Sequence, residues 1–471
     1  MYLRSLTLQN LKLLREVDLS FTRADGEVRP WTVFVGENGV CKTAILQAIA
    51  LAACGSSLGS ELADVTSLPD RRQPNTELML IGAEFTFGTE GHKARVYPGL
   101  DTKHSLPPYL RSSIAAKSSW RELVGSSRYV GVEHTQVFDP IREARRTQLP
   151  DWFVAGYGTA RTLPRPHSIQ AEGLSDPLKQ RMANLFDEGG LIATGFADLF
   201  EPAQARAYSK LLKQVLLQGN LLPGVVDLEL QSHGIVRTRK DLLEAHCFEL
   251  ELGGQRVKLP ATWLSRGYQG AIAWLADLIG HVLLEAGKPV APERMEGLVL
   301  VDELDLHLHP HWQTTLIATL KSIFPRLQFI ATTHSAMLLP GLEQDEVFVL
   351  RQDEQGHVYV SPAPSTPSRG GGTNPSSPSI ALPSLRISWR RNCSAMSGAD
   401  SPERWRTAPA PSAAPRSAMA APGSSSSMAM PITPCMSAMR TRSSRGCGPP
   451  ARRPSTRPAP RAAGAGSGSA W

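Results

Sequence analysis

Residues 36–43, Gly-Glu-Asn-Gly-Val-Cys-Lys-Thr, constrain this chain more than any other stretch. They lie between Trp31–Val35, an apolar, β-rich run that reads as a buried strand, and Thr43–Ala53, whose Ala, Leu and Gln content reads as a helix. A Gly-rich turn at such a junction has the spacing of a phosphate-binding loop. Gly36 and Gly39 let the backbone N–H groups of Glu37, Asn38, Val40 and Cys41 curl round a polyphosphate, and the helix N-terminus adds partial positive charge. Lys42 is placed to reach the β- and γ-phosphates, and the Thr43 hydroxyl to hold Mg²⁺. One position departs from G-x-x-x-x-G-K-[ST]: Cys41 stands where the second glycine belongs. If that position needs a positive φ, an L-residue there costs about 1 kcal/mol, which a domain with a large core survives.

Around this junction, strands and helices alternate. Leu6 and Leu8, then Val17, Leu19 and Phe21, have the period of two half-buried strands, and Asp25-Gly26 supplies a turn before the loop strand. Ile81–Phe87 reads as a further strand, with Lys93–Val96 as its partner, while 100–150 carries no clear pattern. Phe153–Tyr157 is a short apolar run; 175–218 is helical in character; Val225–Leu230, Cys247–Leu252 and Arg256–Leu259 read as strands, the last two joined at Gly253-Gly254. A helix over Tyr268–Ala286 follows, then the strand Leu298–Val301, the helix His311–Phe324, the strand Leu327–Ala331 and a hairpin of Val347–Leu350 with His357–Val360. The alternation predicts an α/β fold with a mostly parallel sheet, an antiparallel β lobe and a helical insertion at about 88–255, with ligands at the carboxyl ends of strands.

Composition changes abruptly after Val360. Residues 361–471 hold 14 Arg, no Lys and only Asp400 and Glu403 as acids, leaving 36 basic and 41 acidic residues in 1–360. The net charge of +7 and the high pI therefore belong to the tail, and the body is mildly acidic. A Pro/Ser/Ala/Arg/Gly-rich segment of this kind cannot bury enough apolar area to offset its chain entropy, so 353–471 is expected to be a disordered tail beyond a domain at 1–352. Two readings of it are open, an arginine-rich arm for nucleic acid and the out-of-frame extension of a GC-rich gene. The six cysteines lack CxxC spacing, the N-terminus lacks an apolar signal core, and no uninterrupted apolar run approaches about 18 residues, so neither zinc, a disulfide framework nor a membrane span is implied and a cytoplasmic location is expected.

Two carboxylates complete the chemistry. Asp302 closes an apolar strand, where an acid can hold Mg²⁺ opposite Thr43, and Glu303 beside it is placed to orient or deprotonate an attacking water. His334, at the end of another strand, is open to two readings, a γ-phosphate donor or a satisfied turn residue. His307, His309 and His311 alternate, but Pro310 interrupts them and no spaced ligand follows, which argues against a metal cluster.

Taken in order, these residues resemble stand-alone ABC-type ATPases of the RecF/SMC/OLD kind. The matching segments are Leu6–Lys12, Gly36–Thr43, Phe153–Arg161, Leu264–Gln269, Leu298–Gln313 and Thr332–Ser335, spread over about 1–350. The resemblance implies a P-loop NTPase head. Gly36, Asn38, Gly39, Lys42 and Thr43 would form the Walker A loop, Asp302 and Glu303 the Walker B pair, and Ser265 and Gly267 would stand in the signature segment. Asp305 would lie in the D-loop and His334 would be the switch histidine, with Lys12 and a polar group near Arg161 touching nucleotide. It also implies ATP and Mg²⁺ as ligands and a head-to-tail homodimer in which the signature segment of one copy caps the γ-phosphate held by the other. Departures are Cys41, a signature that is not LSGGQ, no room for an acidic Toprim domain in the tail, and no long coiled coil. The similarity is greatest to compact ATPases found beside prokaryotic anti-phage genes, including those that pair with an HNH nuclease. The expectation is therefore an ATPase motor or sensor in a DNA-directed defence or repair complex with a partner nuclease or other defence protein. The alternative is a nucleotide-gated clamp that has lost turnover through Cys41 or the altered C-terminus.

Overall fold

A computed structural model describes residues 1–72, 77–88, 97–98, 109–131, 138–146, 152–161, 177–187, 202–230, 246–363, 379–382 and 385–388. The chain opens with β1 (Tyr2–Leu11) and β2 (Leu14–Ser20), whose alternating leucines and Val17 face inward, then β3 (Trp31–Gly36) and the helix α1 (Lys42–Cys54). A short helix α2 (Ser56–Leu62) and three antiparallel strands follow, β4 (Met79–Thr86), β5 (Tyr109–Ala116) and β6 (Val124–Val130). Next come α3 (Pro140–Arg146), β7 (Val154–Tyr157), α4 (Pro177–Phe186) and α5 (Pro202–Leu217). A separate three-stranded sheet holds β8 (Val225–Leu230), β9 (His246–Leu252) and β10 (Gln255–Pro260) in the order β10-β9-β8.

The remainder returns to the main sheet. α6 (Arg266–Ala286) precedes β11 (Gly297–Val301), and α7 (Pro310–Ile323) precedes β12 (Leu327–Thr333). The hairpin of β13 (Val347–Gln352) and β14 (Val358–Pro362) follows. The eleven strands run β6-β5-β4-β1-β2-β14-β13-β3-β12-β11-β7. From β13 to β7 every pair is parallel, and from β6 to β2 every pair is antiparallel.

The parallel strands are buried on both faces, as their unbroken apolar runs require. Their alternate residues go to opposite cores. Trp31, Val33, Val299, Val301 and Phe329 meet α6 and α7, with Trp31 stacked on Phe329 at 4.5 Å. Phe34, Leu298, Leu300 and Ile330 meet α1 on the other face. Alanines at 44, 48, 50, 52 and 53 let α1 lie close against its neighbours, all of them buried.

Among the described residues of the region at about 88–255, β5 and β6 extend the main sheet, β7 is its parallel edge, and β8–β10 form a separate sheet. β14 carries the main sheet through Pro362, past residue 352. Within the tail, Ser379–Leu382 and Leu385–Ser388 pair as antiparallel strands. The rest of the tail, like the expected strand Lys93–Val96, lies outside the described residues. No helix among the described residues is long and apolar enough to cross a membrane.

Candidate functional site

The carboxyl ends of β3, β11, β12 and β7 converge, and each delivers one part of a cluster. From β3 comes the loop Gly36–Thr43. Gly36 is confined, because a Cβ there would stand 2.8 Å from Val40 Cγ2 and 2.9 Å from the Leu350 carbonyl. Gly39 has φ +82° and no atom within 4 Å of where its Cβ would be, so the outer side of the loop is open. Glu37, Asn38 and Gly39 are exposed and Val40 is buried. Cys41 does adopt the left-handed conformation, at φ 63° and ψ 23°, and directly precedes α1. Its thiol lies against the backbone of Leu13 and near Lys12, and burial pushes the thiol pKa up despite that contact and the nearby cations. Lys12 itself sits in the β1–β2 turn at φ 50°, its N–H donating to Leu68 O at 2.9 Å.

α1 begins with no side-chain cap and no acid in its first turn, leaving its N–H groups free for an anion. Lys42, only 6% exposed, donates from Nζ to the carbonyls of Gly36 at 3.0 Å and Glu37 at 2.7 Å. Burial lowers its pKa, opposed by the charges of Asp302, Glu303 and Asp305. Thr43 Oγ1 donates to Asp302 Oδ2 at 2.7 Å, so residues 259 apart in sequence meet at the end of two strands.

The second half is built from β11 and β12. Thr332 Oγ1 donates to Asp302 Oδ1, and the Glu303 N–H donates to that hydroxyl at 2.8 Å. Thr333 Oγ1 donates to Asp305 Oδ1, which also accepts the His334 N–H at 3.4 Å. Glu303 has φ 44°, and its carboxylate lies 3.8 Å from His334 Nε2. Ser335 Oγ donates to Gln313 Oε1, tying the β12 end to α7. Thus Lys42, Thr43, Asp302, Glu303, Asp305 and His334 form one cluster.

Ser265 and Gly267 stand apart from it, at the start of α6. Ser265 is exposed and makes no capping bond, while Gln269 turns back to hold the carbonyls of Thr262 and Leu264. A Cβ on Gly267 would stand 2.5 Å from the His307 carbonyl, so this glycine allows the chain after Asp305 to lie on the helix start. His309 accepts the His311 N–H on Nδ1 and precedes Pro310 at the start of α7, a capping arrangement. No group of three or more His, Cys, Asp or Glu placed to hold a metal ion occurs among the described residues.

Four residues of the cluster were not singled out for these contacts by sequence: Thr332, Thr333, Gln313 and Arg161. Two consecutive threonines closing an apolar strand are the signal for the first pair, since a buried hydroxyl needs a partner. Arg161, expected near nucleotide, is 7% exposed and its guanidinium is turned to the backbone of Asp302 and Glu303. One hydroxyl and one carboxylate offer hard oxygen ligands beside a buried ammonium and an uncapped helix start. That set fits a polyphosphate with a divalent cation held by Thr43 and Asp302.

Septu protein PtuA of Bacillus mycoides (strain KBAB4) is 28% identical over 360 residues, covering 76% of this chain and 42% of that protein. A Septu protein PtuA of Bacillus thuringiensis is 33% identical over 125 residues, 26% of this chain and 32% of that one. "Retron Ec83 probable ATPase" of Escherichia coli is 32% identical over 136 residues, 29% and 23% of the two chains. The chain thus spans less than half the length of these relatives. Among solved structures, an SMC head bound to the C-terminal winged-helix domain of ScpA is similar with a TM-score of 0.45 and 17% identity, covering 77% of this chain and 97% of that one. A family model described as "AAA domain, putative AbiEii toxin, Type IV TA system" matches residues 31–339, the stretch that contains the whole cluster. The chain belongs to this AAA-domain family.

Proposed function

We propose that the protein is a Mg²⁺-dependent ATPase that cleaves the β–γ phosphoanhydride by in-line attack of water. The contact of Thr43 Oγ1 with Asp302 Oδ2 at 2.7 Å, beside Lys42, carries this reading. Thr43 and Asp302 would hold Mg²⁺, which when bound neutralises charge on the phosphates. Lys42, released from the Gly36 and Glu37 carbonyls, supplies positive charge to the β- and γ-phosphates. Glu303 orients and deprotonates the water, and His334 beside it hydrogen-bonds the γ-phosphate. Ser265 is exposed at the start of α6, and Gly267 is buried behind it against the His307 carbonyl of its own chain: two chains pairing head-to-tail would bring each α6 start to the other's γ-phosphate. Likeness to Septu and retron proteins supports a place in an anti-phage complex, acting on or sensing DNA with a nuclease or other defence partner.

The test is Glu303→Gln. Removal of a general base costs roughly 10²–10⁴ in rate. Phosphate release is expected to fall at least 100-fold while Mg²⁺-ATP still binds and a dimer accumulates by light scattering. Turnover equal to the parent's would refute the role of Glu303, and a parent with no Mg²⁺-dependent ATP affinity would refute the function.

A further inference from the structure

Glu303 is held in a conformation it would not adopt unaided. Its φ of 44° is left-handed, which costs a non-glycine residue about 1 kcal/mol. Both peptide planes flanking its Cα are pinned. On one side the Asp302 carbonyl accepts from Arg161 Nη1, and the Glu303 N–H donates to Thr332 Oγ1 at 2.8 Å. On the other, the Glu303 carbonyl accepts from Arg161 Nη2 at 2.8 Å, and the Leu304 N–H donates to Thr332 O at 2.9 Å. With both planes fixed, the direction in which the side chain leaves the backbone is fixed too.

Arg161 is itself over-determined. It follows the edge strand β7, whose register sets Tyr157 beside Val301, and Nη1 also donates to Gly158 O at 2.8 Å. Its head is buried and bonded to carbonyls rather than to carboxylate oxygens. Burial pushes the guanidinium down to about 10, with the charges of Asp302, Glu303 and Asp305 opposing, so it stays cationic at neutral pH. Burying a cation is costly, and here the bonds to three carbonyls offset that cost, so the arginine and the carbonyls hold one another in place.

We infer that Arg161 is a positioning residue for hydrolysis: its guanidinium clamps the two carbonyls around Glu303 and so aims that carboxylate at the reacting water. This rests on the ATPase reading above. It assigns Arg161 no contact with nucleotide and no share in its affinity.

The experiment compares the parent with Arg161→Ala, Arg161→Lys, Glu303→Gln and the double variant Arg161→Ala/Glu303→Gln. Misplacing a catalytic group by about 1 Å can cost 10²-fold. For Arg161→Ala, kcat is expected to fall at least 30-fold, with ATP-binding stoichiometry and Kd within threefold of the parent. If the arginine acts through Glu303, the double variant is no slower than Glu303→Gln alone, since groups acting as a unit are not additive. Arg161→Lys, which keeps the charge without the fork, is expected to bind ATP like the parent and remain slow. Parent-like kcat in Arg161→Ala, or a double variant slower by the product of the two single losses, overturns the assignment. So does a loss of ATP-binding sites in proportion to activity in both Arg161 variants, which marks a scaffold residue. A parent without Mg²⁺-dependent hydrolysis would instead sink the function proposed above.

Discussion

Cys41→Gly separates an active enzyme from a clamp that has lost turnover, and its outcome can be worked from the loop. Cys41 already holds φ 63° and ψ 23°, the conformation a glycine would take, so the loop backbone is not displaced by the substitution. Glycine relieves about 1 kcal/mol of left-handed strain. It also removes a half-buried side chain lying against Leu13, worth about 0.5–1 kcal/mol, and frees the unfolded chain by roughly 0.4–1 kcal/mol. The terms nearly cancel, so the variant should be less stable by at most about 1 kcal/mol, a drop in Tm of about 2–4 °C. The sulfur lies on the side of the β1–β2 turn, where Leu13 and Lys12 are, so trimming it should leave the phosphate cradle as it was. Phosphate release should change less than threefold, measured with a coupled phosphate sensor across saturating Mg²⁺-ATP, alongside Tm by scanning calorimetry. A tenfold or larger gain in kcat would refute this reasoning: it would mean that Cys41 had been blocking a competent site, as the clamp reading requires.

Gly267→Ala places a Cβ 2.5 Å from the His307 carbonyl, a backbone atom that cannot swing away. Shifting the α6 start or the segment after Asp305 should lower kcat at least tenfold while ATP affinity of the single chain, measured with a fluorescent analogue, stays within threefold; parent-like turnover would show that this approach is slack. Asp70→Asn tests a tie between the front of the sheet and its last hairpin: Arg72 donates to both Asp70 oxygens, at 3.0 Å and 2.8 Å, and to Gly356 O at 2.9 Å. The hydrogen bonds from Arg72 hold the Asp70 carboxyl below its ordinary pKa, so this stability is present above about pH 4 and is lost as pH falls through the lower folded value. Discounted for the solvent around Arg72, the loss at pH 7 should be about 1–2 kcal/mol. The gap in urea midpoint between parent and variant should narrow steadily as pH falls below about 4, and a gap that does not change with acidification would refute the ion pair as its cause.

What could be read from the residues follows from how far a signal must reach. β3, β11 and β12 are legible because each is an unbroken apolar run that a parallel sheet needs, and the loop and the pair Asp302-Glu303 are legible because each motif lies within a few residues of its strand. β5 and β6 are not. Tyr109–Ala116 and Val124–Val130 break the apolar-in, polar-out alternation, with Ser112 and Ser127 buried and Val124 exposed, and become strands through pairing with β4 and each other. Even their buried Ser127 is explained only by tertiary partners, donating to Asp139 and accepting from the Ile141 N–H at 2.9 Å.

The same distinction runs through the site. The groups with chemistry are spaced locally, whereas the groups that hold them in place are not. Thr332 reaches Glu303 across 29 residues and Arg161 reaches Asp302 across 141, and both contacts exist because β11 lies between β12 and β7. An arginine after Gly156-Tyr157-Gly158 looks, in isolation, like a ligand for phosphate. Beside β11 its nearest acceptors are the carbonyls of the residues that must be aimed, and the strand order rather than the motif decides which of the two it serves.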